Sequence, residues 1–142
     1  MKPAAILESA LYADDLDAAE DFYTRVLGLE RIARVEGRHV FFRCGEGVLL
    51  VFNPAETKKP PQPGAKLPVP PHGAAGQGHL CFRATAGEIE DWKARLAAQG
   101  VAVEADFEWP ARDGAGRGPR SIYFRDPAGN SIEFAEPAIW GL

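Results

Sequence analysis

The sequence predicts an α+β protein made of one βαβββ unit used twice. Three observations carry this. A strand–helix–strand–strand–strand order occurs in residues 6–53 and again in residues 79–136. The hairpins of the two halves match in sequence, with Phe41-Phe42-Arg43 before one turn and Tyr123-Phe124-Arg125 before the other. Between the halves lies a Pro- and Gly-rich stretch, Asn53 to Gln77, without periodicity.

In the first half, Ile6–Tyr12 alternates as a strand does, and Asp14-Asp15 offers a helix N-cap. Leu16, Ala19, Phe22, Tyr23, Val26 and Leu27 follow at helical spacing, and Gly28 closes the helix. Strands are expected near 29–36, 38–44 and 47–53, the last two joined by the turn Cys44-Gly45-Glu46-Gly47. In the second half, His79–Ala84 reads as a strand. Thr85 caps a helix carrying Ile89, Trp92, Leu96 and Ala97, and Gly100 ends it. Val101–Phe107 and Arg120–Arg125 are strand-like, and Asp126-Pro127-Ala128-Gly129-Asn130 is a turn before Ser131–Glu136. The boundaries are module 1 at about 5–55, a loop at 54–77 and module 2 at about 78–137, all within one domain of residues 1–142. A second Gly-rich stretch, Trp109 to Pro119, interrupts module 2.

Composition restricts the function. The 142 residues are 46% hydrophobic and 25% charged, as in ordinary globular domains, with a net charge of −4. The acidic balance, with no basic run beyond Lys58-Lys59, argues against nucleic acid as a partner. No apolar run approaches the length of a membrane span. The N-terminus meets Glu8 too early for a secretory signal, so a cytoplasmic location is expected. Cys44 and Cys81 are too few for a disulfide framework and read as reduced thiols.

A carboxylate in an inward-facing strand register is costly unless it is paired or bound to a cation. Alternation in Ser131-Ile-Glu-Phe-Ala-Glu136 puts Ser131, Glu133 and Ala135 on one face, with Ile132 and Phe134 on the other. By the same period Cys81 shares the face of His79, and Tyr12 that of Glu8.

The segments Tyr12–Leu29, Gly78-His79-Leu-Cys-Phe82 and Phe124-Arg-Asp-Pro-Ala-Gly-Asn-Ser-Ile-Glu-Phe134 resemble the vicinal oxygen chelate superfamily. That superfamily includes glyoxalases, extradiol dioxygenases, fosfomycin-resistance proteins and bleomycin-binding proteins. The resemblance implies that the paired modules form a U-shaped mixed sheet around a central cavity holding one divalent metal ion. It places the ligands at Glu8, His79 and Glu133, with open positions for substrate oxygens. Ligand hardness suits Mn, Fe or Zn, and Ni stands beside them as a candidate ion. The resemblance also implies a small-molecule substrate and a homodimer.

The expected activity is metal-dependent, glyoxalase-like lyase or isomerase chemistry on a chelated oxygenated substrate, with Glu133 or Glu8 as the base. The alternatives are an extradiol-type dioxygenase and a metal-free small-molecule or drug-binding resistance protein. Glu at position 8 counts against the dioxygenase. Aligning Gly47 with Gly129 sets Val51 opposite Glu133, where glyoxalase-type enzymes have a fourth ligand, and Val51 cannot bind a metal. Tyr12, Cys81, Arg120, Tyr123 and His72 are the candidate substrate contacts, His72 from the long loop.

Overall fold

The structure, a computed structural model, describes residues 1–111 and 114–142. Of the second Gly-rich stretch, Arg112 and Asp113 lie outside the described residues. The chain divides into two compact units, Met1–Gln77 and Gly78–Leu142.

Unit 1 runs β1 (Glu8–Tyr12), α1 (Leu16–Asp21), β2 (Glu30–Val35), β3 (His39–Cys44), β4 (Gly47–Phe52) and α2 (Pro54–Thr57). Its sheet has the order β1-β4-β3-β2, with β1 parallel to β4 and the other pairs antiparallel. The Asp15 side chain caps α1 by accepting from Ala18 N at 2.9 Å. The expected single helix changes character halfway, because Phe22–Val26 is a π-helical turn. This wider turn turns Phe22, Tyr23 and Val26 inward together, and the Tyr23 ring lies 5.4 Å from that of Phe42. The short α2 was not expected. Asn53 starts it by accepting from Ala55 N, with Pro54 in the first turn.

Unit 2 runs β5 (His79–Arg83), α3 (Ala86–Ala98), β6 (Val103–Glu108), β7 (Arg120–Arg125) and β8 (Ser131–Ala135), then a 3-10 turn over Pro137–Trp140. Its sheet order is β5-β8-β7-β6, with β5 parallel to β8, so the two units repeat one topology. Thr85 and Glu88 form a capping box at the start of α3. Ile89 and Leu96 are fully buried, and Trp92 stacks on Phe134 at 4.4 Å. One face of this sheet thus carries Ile122, Phe124, Ile132 and Phe134 toward α3, leaving the alternate residues on the other. No helix among the described residues is long and apolar enough to cross a membrane.

The registers correct one expectation. Phe41 stands opposite Leu50 and Tyr123 opposite Glu133, so Leu50, not Val51, is the unit 1 counterpart of Glu133. Arg43 and Val48 enclose residues 44–47, whereas Arg125 and Ser131 enclose 126–130, one residue more. That extra residue defeats an alignment made on the glycines, since a one-residue shift exchanges the two faces. Val51 pairs with Val40 on the helix side and is fully buried. Leu50 offers no donor either.

The turn before β8 is locked from within. Asn130 N and Nδ2 both donate to the Asp126 carboxylate at 2.8 Å, and Asn130 Oδ1 accepts from Gly78 N at 2.7 Å. Asp126 and Asn130 are both buried. Asn130→Ala removes the partner of the Gly78 N–H and should cost about 2–3 kcal/mol, as losses of buried hydrogen-bond partners do. The check is a lower urea midpoint at unchanged m-value.

Candidate functional site

On the face of the unit 2 sheet away from α3, Glu133 sits at the middle of β8. The register places Cys81 of β5 on one side of it and Tyr123 of β7 on the other. The Glu133 side chain is only 5% exposed, and its Oε2 lies 3.3 Å from His79 Nε2. Its Oε1 is buried without a hydrogen-bond partner. His79 is at the first position of β5, half open to solvent, and its Nδ1 donates to Ser131 O at 3.0 Å. A carbonyl oxygen can only accept, so that bond fixes the proton on Nδ1 and presents Nε2 toward Glu133.

Histidines that ligate a metal commonly have their second nitrogen held by a backbone carbonyl in the same way. Donors sharing one ion at about 2.0–2.2 Å in tetrahedral or octahedral geometry stand about 3.0–3.5 Å apart. The 3.3 Å pair fits that spacing, and the orphaned Oε1 fits a carboxylate with bonding capacity in reserve. Of the three ligand residues expected from sequence, unit 2 brings together His79 and Glu133. Glu8 is exposed at the first position of β1 in unit 1, where its register to Val48 matches that of His79 to Ser131. Among the described residues no group of three or more His, Cys, Asp or Glu side chains is gathered for a metal ion.

The neighbours of Glu133 stay protonated. Burial, and then the Glu133 carboxylate, push the Cys81 thiol up to about 12. The same two causes push the Tyr123 phenol up to about 12. Both groups therefore flank the carboxylate as neutral side chains at working pH, and Cys81 is not an activated nucleophile.

Tyr12 and His72 meet in unit 1. The Tyr12 hydroxyl lies 2.9 Å from His72 Nδ1, and the Phe52 ring is 4.5 Å from the His72 ring and 6.2 Å from that of Tyr12. His72 N donates to Thr57 O, which ties the long loop back to α2. His72 thus packs on the sheet face that carries Tyr12. His39 was missed by sequence reasoning. It stacks on Phe41 at 4.0 Å with Nδ1 buried and unpartnered, and burial pushes its pKa down.

Arg120 lies on the α3 side of β7. Its guanidinium donates to Asp106 at 2.6 Å and to Glu90, and does not join His79 and Glu133. Sequence reasoning also missed Phe107 and Trp109. The β-bulge between Val103 and Ala105 reverses the alternation of β6 and brings Phe107 onto the face of Tyr123. No single-strand pattern announces that shift.

The family model described as Glyoxalase/Bleomycin resistance protein/Dioxygenase superfamily matches residues 5–134. The chain belongs to this superfamily. Its topology is the glyoxalase-like α+β fold, with two mixed four-stranded sheets and a few helices. A lactoylglutathione lyase from Agrobacterium tumefaciens is 48% identical, with 100% of each chain covered and a TM-score of 0.89. A virulence protein from Salmonella typhimurium is 26% identical over 96% of this chain and 98% of that one, with a TM-score of 0.66. An integron cassette protein from V. cholerae is 25% identical over 96% and 98%, with a TM-score of 0.68.

The ion pairs of Arg120 yield a pH test in this glyoxalase-family chain. Hydrogen bonds from Arg120, and then Lys93, hold the Asp106 carboxyl at about 2, below its ordinary 3.8. A carboxyl depressed on folding stabilises the native state above its unfolded value, and that contribution is lost as pH falls through the folded value. Asp106→Asn should lower stability by about 1 kcal/mol near pH 7. Melting curves of the variant and wild type should converge as pH drops toward 2.

Proposed function

We propose that the protein is a metal-dependent lyase or isomerase of the glyoxalase family, acting on a small molecule that presents two vicinal oxygens. The observation that carries this reading is the buried Glu133 carboxylate, facing His79 Nε2 with one oxygen unpartnered. The 48% identity to a protein named lactoylglutathione lyase supports lyase chemistry on a 2-hydroxyacyl thioester or its precursor. Unit 2 supplies His79 Nε2 and a Glu133 oxygen as donors, and Glu8 is added as a third by family resemblance alone.

A divalent ion held by these donors supplies Lewis-acid polarisation of the substrate oxygens. The protein's own groups do the rest. The Ser131 carbonyl keeps the His79 proton on Nδ1, so that Nε2 remains a donor. Glu133, flanked by Cys81 and Tyr123, is only 5% exposed, and limited water around it strengthens its interactions. Glu133 Oε1, free of any hydrogen bond, accepts the proton from the carbon next to the substrate carbonyl and returns it to the neighbouring carbon.

Protein purified without chelator or affinity metal should carry about one divalent ion per chain by elemental analysis. His79→Gln and Glu133→Ala should each weaken binding beyond the about 10- to 100-fold typical of losing an outer hydrogen-bond partner of a ligand. Glu8→Gln should weaken it as well. A native protein without metal that takes up none of Mn, Fe, Zn or Ni on titration would overturn this reading in favour of a metal-free binding protein.

A further inference from the structure

We propose that unit 2 carries an aromatic ledge that binds the flat, conjugated part of a substrate whose vicinal oxygens face His79 and Glu133. The inference rests on the proposed function only for the position of those oxygens. It adds the chemical class of the rest of the molecule, an aromatic or extended π system.

Four rings form the ledge in sequence, beginning on a donor. His79 stacks on Tyr123 at 6.2 Å with 22° between planes, and Tyr123 on Phe107 at 5.8 Å and 8°. Phe107 then meets Trp109 edge-on at 5.1 Å and 62°. The rings nearest the proposed metal pair are thus almost parallel, and the Trp109 ring ends the row at an angle, as a stop. Ala105, opposite Tyr123, adds little bulk between them.

The far end of the ledge is held rigidly. Trp109 Nε1 donates to Ser121 Oγ at 2.9 Å, and Trp109 N donates to Pro119 O at 2.8 Å. Gly118 packs so close beneath that a Cβ there would lie 1.7 Å from the Trp109 carbonyl oxygen. A side chain cannot replace it without moving the loop. Yet Phe107 and Trp109 each remain 40% exposed, although large aromatic side chains contribute most when covered. Rings fixed in place and left open are preorganised for a ligand.

The size of the strip selects the occupant. Two rings of this exposure offer apolar area on the order of 10² Å², far below the roughly 800 Å² per partner that a stable protein interface buries. A single planar group matches it, because aromatic rings favour offset stacks and edge-on contacts of this spacing.

The test uses the full chain with and without Mn²⁺, and calorimetric titration with catechol, 2-naphthol and 2,3-dihydroxynaphthalene. The second fused ring should tighten binding at least about tenfold between catechol and the naphthalene diol. Phe107→Leu, or Trp109→Leu as a second variant, should remove most of that advantage, weakening the naphthalene diol far more than catechol. Trp109→Phe, which keeps a ring, should restore part of it. An advantage that is absent, or that survives both leucine variants, overturns the ledge.

The metal reading is scored separately, by whether Mn²⁺ favours the diol over 2-naphthol. A ring-dependent advantage without any Mn²⁺ effect keeps the ledge and removes the chelation. A Mn²⁺ effect without ring dependence does the reverse.

Discussion

Gly78 N and Asn130 Oδ1 meet at 2.7 Å, and this contact decides which residues of β5 stand beside which residues of β8. The two strands are parallel and 52 residues apart, so no tight turn can set their register. The buried Asp126–Asn130 pair supplies the missing constraint by making the β7–β8 turn a fixed receptor for the start of β5. With His79 held opposite Ser131, its Nδ1 reaches the Ser131 carbonyl and its Nε2 reaches Glu133. A slip of one residue would turn His79 toward α3 and replace it with Leu80. The donor pair is therefore a consequence of the turn.

The two units use one topology for different ends. In unit 2 the open face centres on a carboxylate flanked by Cys81 and Tyr123. In unit 1 the same position is Leu50, flanked by Ala10 and Phe41. The next row of that face is filled by Tyr12, Phe52 and His39, with His72 packed against it from the loop. Duplication conserves the backbone pairing because the apolar helix side cannot change without losing the core. The opposite face is freer to diverge, and here one unit has become a carboxylate site and the other an aromatic cluster. His39 Nδ1 and Glu133 Oε1, buried polar atoms without partners, both belong to these open faces.

Much of this was legible in the sequence, for identifiable reasons. The strand order, the Thr85 and Asp15 caps and the Asp126–Asn130 turn follow from local chemistry. The face that Cys81 shares with His79, and the one that Glu133 shares with Ser131 and Ala135, follow from period two. The features missed are those where a local rule is interrupted. The π turn at Phe22–Val26 breaks helical spacing, and the longer second hairpin moved the counterpart of Glu133 from Val51 to Leu50. The bulge in β6 hid Phe107, whereas Arg120 lies on the helix side by plain alternation with Ile122 and Phe124 and pairs there with Asp106 and Glu90.

The sequence by itself determined the βαβββ repeat, the superfamily and the residue types able to hold a cation, because these depend on periodicity and on side-chain chemistry. Only the tertiary structure decided which of those residues meet. The His79–Glu133 pair, the proton fixed on Nδ1 and the row of rings from His79 to Trp109 all depend on register between strands distant in the chain. Register is set by turns, bulges and buried hydrogen bonds acting together, and no single stretch of sequence contains it.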